Sequence, residues 1–258
     1  ERIPMKLQYI IVLLCFLMLT GCTRAVPLIS HAHVGHSLTA WRDTPDQQGL
    51  FVVAEKEVGI AYDNAKAARA NQSDSTRRSS HLSTVLHALN SDRRESGGGL
   101  GYGAIRALNG AADHMVFAAE SDDASDNLIR MSARFAEASA QVADRLRLAE
   151  KVALLAEGAS DQESGRLLIE LEKALHHALE GADLDADGRV GNRYEEYGLL
   201  QLRDDISRSL HNEDPPYHPA GKKYLLGLVR LPSGSWAYRF DMTDKNAPRA
   251  WSGYGGRY

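Results

Sequence analysis

Cysteine is nearly absent. The chain has two in 258 residues, Cys15 and Cys22, and none beyond. The remaining 236 positions therefore hold no disulfide pair, no thiolate metal ligand and no thiol nucleophile. The Cys-x-x-Cys-His pattern of covalent haem attachment is missing as well. Charge is close to balance, at −4 formally, so there is no basic footprint and no nucleic-acid partner is expected. Gly-x-Ser-x-Gly, a Walker loop and His-Glu-x-x-His are all absent, which removes the commonest hydrolase, nucleotide and zinc-protease signatures. We therefore expect a chain that is not an enzyme.

One long apolar run is present, from Tyr9 to Leu19, after the basic Lys6. It falls short of the roughly 20 residues a spanning helix needs, and small residues follow it. Leu19-Thr20-Gly21-Cys22 closes it. Those four residues resemble the lipobox of bacterial lipoproteins, with Met5 as the start. The resemblance implies cleavage before Cys22, acylation of its thiol and anchoring of the chain to a membrane by lipid. Thr23, rather than aspartate, follows the cysteine, which in that family implies the periplasmic face of the outer membrane. Residues 1–21 are read as leader, and 22–43 as an anchor-proximal linker carrying a histidine cluster.

Behind the leader the pattern is helical, and residues 44–212 are expected to form the folded body. Thr44-Pro45-Asp46-Gln47 reads as a capping box with proline at the first helical position. Leu50, Phe51, Ala54, Val58, Ala61 and Ala65 then recur at helical spacing. This helix should fade near Ala70 into a polar linker, "NQSDSTRRSS", before a short helix carrying Leu82, Val85, Leu86 and Leu89. "ESGGGLGYG" is a loop. Further stripes run through Leu108 and Met115, then Leu128 to Val152, then Leu168 to Leu179. A last helix is expected from Glu195 to Leu210. Asp122, Asp123 and Asp126 read as a solvated helix start matched to the helix dipole. The fold class expected is all-α: an up-and-down helical bundle. Residues 213–258 are expected to hold a small β-hairpin, in which Trp236, Tyr238, Phe240 and Met242 alternate with other residues, and a loose tail.

Two groups of residues carry metal-binding chemistry. In "DLDADGRVGNRYEE", residues 183–196, the carboxylates Asp183, Asp185 and Asp187 alternate and Gly188 supplies a sharp turn. This resembles the first half of an EF-hand loop between two helices, with the Arg189 carbonyl at the seventh position. The twelfth position is Tyr194 instead of glutamate, so Glu196, with Glu195 in competition, would close a lengthened loop around calcium. The second group is histidine. His33 and His36 lie in "SHAHVGH", His87 on the second helix and His114 on the third. Facing helices of a bundle can bring such residues to one transition metal, copper or iron, or to haem.

The ordered motifs "HVGH-x-LTAW-x-DTP", "VLHALN", "GLGYG" and "DLDADGRVG" resemble a bacterial family of exported helical proteins with no assigned activity. The resemblance places His33, His36, Trp41, His87, Tyr102, His114, Asp183, Asp185 and Asp187 at pattern positions and implies no reaction. The reading is a lipid-anchored envelope protein with a structural calcium, serving binding or scaffolding in an envelope complex. The alternative is a periplasmic redox or metal-handling protein built on the histidines.

Overall fold

A computed structural model describes residues 28–94, 96–214 and 217, with backbone alone at 228–230 and 236–238. The leader, the lipobox and most of the C-terminal segment lie outside the described residues. Seven α-helices are present among those described: α1 Ile29–Leu38, α2 Leu50–Ala70, α3 Ser75–Leu89, α4 Ala104–Glu120, α5 Asp126–Gly158, α6 Asp161–Glu180 and α7 Leu199–His211. From 28 to 214 the described residues are all-α and densely packed.

The 33-residue α5 is the spine. It packs against α3, α4, α6 and α7, while α2 packs against α1, α3, α4 and α6. The contact faces explain this arrangement. Ala54, Ala61, Ala65 and Ala68 on α2, and Ala138, Ala149, Ala153 and Ala156 on α5, are fully buried. Such short side chains let helix axes approach closely. Larger side chains fill what remains: Phe51 meets Phe135 edge-on at 5.5 Å, and Leu82, Leu86, Leu108, Met115, Leu146, Leu168 and Leu171 are fully buried. Each buried leucine contributes about 1.5–3 kcal/mol relative to an exposed one.

Several boundaries differ from expectation. The segment read as an anchor-proximal linker is, from Ile29, a helix packed on α4 and α2. Its weak apolar pattern concealed this, since Ser30, His31, Gly35 and Ser37 are buried beside Val34 and Leu38. The Ser37 hydroxyl donates to the Ala111 carbonyl at 2.6 Å, so the polar face is satisfied by α4. Thr44 does not cap α2. Pro45–Gln47 is an isolated 3₁₀ turn, the Thr44 hydroxyl donates to the Trp41 carbonyl at 2.7 Å, and α2 starts after Gly49. The polar linker after Ala70 shrinks to a tight turn, because Asp74 accepts the Arg77 N–H at 3.1 Å and starts α3 there. Asp123 is not merely solvated: it accepts the N–H groups of Ile29 (2.6 Å) and Ser30 (2.9 Å), capping α1 from across the bundle. The folded body also reaches past residue 212, since Glu213 and Tyr217 are buried. Leu228–Arg230 and Trp236–Tyr238 pair antiparallel, but the residues around them lie outside those described and the expected hairpin is not established.

Candidate functional site

The acidic loop joins α6 to α7 and is shaped by backbone that few residue types adopt. Gly181, Gly188 and Gly191 have φ of 79°, 81° and 97°, and Ala186 joins them at 59°. A Cβ on Gly181 would run into the Glu196 carbonyl, so this position admits only glycine. Along the turn the carboxylates gather N–H groups. Asp183 accepts from Gly188 (2.9 Å) and Asp187 (3.2 Å), Asp185 from Asp187 (3.2 Å), and Asp187 from Arg189 (2.8 Å) and the Asn192 amide (2.6 Å). These donors carry no formal charge.

Glu196 closes the loop from its far end. It lies in a 3₁₀ turn, Tyr194–Glu196, and is fully buried, whereas Asp183, Asp185 and Asp187 are exposed. Its carboxylate accepts the N–H groups of Gly191 (3.1 Å), Asn192 (3.2 Å) and Leu184 (3.3 Å), and its carbonyl accepts that of Ala182 at 2.9 Å. Burial alone would raise its pKa. The N–H groups of Gly191, Leu184, Asn192 and Asp185 outweigh that and hold the carboxyl below its usual range. One oxygen each from Asp183, Asp185 and Glu196 lies within 4.8 Å of the others. Calcium–oxygen distances of about 2.3–2.6 Å set opposite ligands about 4.6–5.2 Å apart, so the three oxygens fit one coordination sphere. Asp187 is outside this trio, held by Arg189 and Asn192, and Arg189 enters the geometry through its N–H. Glu195 points away and pairs with Arg193 at 3.6 Å.

The four candidate histidines separate. His33 and His36 on α1 meet His114 on α4, and one ring nitrogen of each lies within 4.8 Å of the others. His87 is elsewhere, buried on α3 under the glycine loop, with its Nδ1 accepting the Gly99 N–H at 3.2 Å.

Glu57 and Glu213 are buried carboxylates outside both groups. Glu57 on α2 is fully buried and accepts the N–H groups of Leu100 (2.9 Å), Tyr102 (3.1 Å) and Gly103 (3.1 Å). It thereby fixes the glycine loop and the start of α4. The signal was present: Glu57 stands three residues after Ala54 and four before Ala61, on the apolar stripe. Glu213 accepts from the Ser125 hydroxyl (2.6 Å) and the Asn127 amide (2.6 Å), and lies 3.4 Å from His31 Nε2. Although serine, histidine and glutamate meet there, the serine bonds to the carboxylate and not to the imidazole, so it is not an activated nucleophile.

Comparison with known protein families, curated proteins and solved structures found no match. No helix among the described residues is long and apolar enough to cross a membrane.

Proposed function

We propose that the protein is a lipid-anchored bacterial envelope protein whose helical bundle is locked by one structural calcium and which serves binding or scaffolding, not catalysis. The observation that carries the calcium reading is Glu196. A fully buried carboxylate is brought across fourteen residues of loop to within ligand reach of Asp183 and Asp185. Like charges so arranged repel, and a divalent cation turns that repulsion into attraction. Asp187 and the Arg189 carbonyl would complete the oxygen set after a small adjustment of the exposed loop.

Calcium at this position pins α6 to α7. Its binding free energy adds to folding free energy, about 2.7 kcal/mol at a hundredfold excess over Kd. For a domain of this size that is about 5–10 °C in Tm. Thermal unfolding of the full chain in calcium and in excess EDTA tests the reading. A Tm lower in EDTA by several degrees is expected, and identical melts would overturn it. The lipid anchor rests on the Leu19-Thr20-Gly21-Cys22 motif and on acylation of Cys22. Such an anchor would set the bundle on the periplasmic face of the outer membrane, where a partner of the envelope would meet it.

A further inference from the structure

We propose that His33, His36 and His114 form a second, independent metal centre, a three-histidine site for a bare divalent transition-metal ion with one coordination position open. The site is built by two helices. His33 and His36 stand one turn apart on α1, and α4 packs on that face and delivers His114. The Nδ1 atoms of His33 and His114 are 3.1 Å apart. In a tetrahedral site with metal–nitrogen bonds of about 2.0–2.1 Å, neighbouring ligand nitrogens sit about 3.3 Å apart. One pair is therefore already at ligand spacing. One ring nitrogen from each of the three histidines lies within 4.8 Å of the others, and side-chain torsions would draw the set onto one ion.

The polar accounting points the same way. A buried Nδ1 on His36 has no hydrogen-bond partner. An orphaned buried polar atom is destabilising, and a bound ion on the imidazole is one way to offset it. The His33–His114 contact needs one proton between two nitrogens. An ion in its place makes both nitrogens lone-pair donors, with that proton moved to Nε2 of the same ring, so the count of protons is unchanged. Burial, and then the closeness of the other two rings, lowers the pKa of His114 to about 4. Burial, and then His33, lowers that of His36. Neutral imidazole is the form that ligates.

The surroundings select the ion. Among the described residues no carboxylate or cysteine joins the three nitrogens. An all-imidazole set suits zinc, copper or nickel and does not suit calcium, which takes oxygen. The rings are packed against Trp41, with centroids 4.5 Å from His36 and 4.7 Å from His114. Phe117 lies 5.6 Å from His33 and 5.8 Å from His114. With two rings in direct contact and aromatic walls around them, a bare ion fits the space better than a haem plane. All three histidines are half-buried and not sealed off, so an ion has a path to them.

Cobalt(II) titration of the chelator-stripped full chain tests this. One Co²⁺ per chain should bind with the intense visible bands of four- or five-coordinate cobalt, and one equivalent of Zn²⁺ should bleach them. His33→Ala, His36→Ala and His114→Ala should each weaken binding at least about tenfold. The volume-keeping His114→Gln guards against loss of fold, which circular dichroism monitors. His87→Ala and Glu196→Gln should bind cobalt like the parent, which separates this centre from the calcium loop. Only the spectrum of the hydrated six-coordinate ion, or bands that survive all three histidine changes, would overturn the proposal.

Discussion

Replacing Glu57 by alanine should be among the most damaging single changes to the bundle. The carboxylate is fully buried and is the acceptor for three N–H groups of the loop that crosses α2. Each buried donor left without a partner costs about 1–3 kcal/mol. Water entering beside the glycines recovers part of this, so the expected net loss is about 3–5 kcal/mol. Glu57→Gln keeps the shape and one acceptor but turns an NH₂ toward an N–H, and should cost about 1–3 kcal/mol. At about 2–4 °C per kcal/mol, the alanine variant should melt about 6–20 °C below the parent, with glutamine between them. Gly99→Ala should act in the same direction, since its Cβ would stand 2.7 Å from Glu57 Oε2. Thermal and urea unfolding followed by circular dichroism measure all three. An alanine variant within about 1 kcal/mol of the parent would refute the claim that Glu57 anchors the loop.

Two further outcomes are expected. Burial would raise the Glu213 pKa, but hydrogen bonds from His31, Ser125 and Asn127 hold it below its ordinary 4.5. The unfolded chain therefore binds more protons in that range, so this stabilisation is complete above about pH 4.5 and is lost as pH falls through the folded value. Melting curves of Glu213→Gln should lie lower at neutral pH and decline less steeply below pH 4.5, and parallel curves would contradict the assignment. Cys22→Ser should release the chain from the membrane fraction and abolish incorporation of labelled palmitate. A variant still membrane-bound and labelled would remove the lipid-anchor proposal.

The helices were legible because their apolar positions recur at a fixed spacing. Leu128, Met131, Phe135, Val142 and Leu146 draw the buried face of α5 without reference to any other element. In the acidic loop Asp183, Asp185 and Glu196 do come together, because the turn between them is local, whereas Asp187 and Arg189, expected with them, stay outside the trio. What periodicity does not carry is the partner of each face. Helix α1 escaped because Ser30, His31, Gly35 and Ser37 look solvated until α4, Asp123 and Glu213 meet them. Asp123 reads as part of a solvated helix start and caps another helix 93 residues away. His87 looked equivalent to His114, but its face of α3 turns to the glycine loop. These three misses are polar contacts between different elements, whose two ends share no spacing rule.

We propose that the loop between α6 and α7 holds one calcium. Titration calorimetry of the chelator-stripped full chain with Ca²⁺ measures it directly. The account predicts one calcium per chain with Kd below about 1 mM, lost in Glu196→Gln and unchanged in His114→Gln. No saturable binding up to that concentration, or binding indifferent to Glu196, would contradict it.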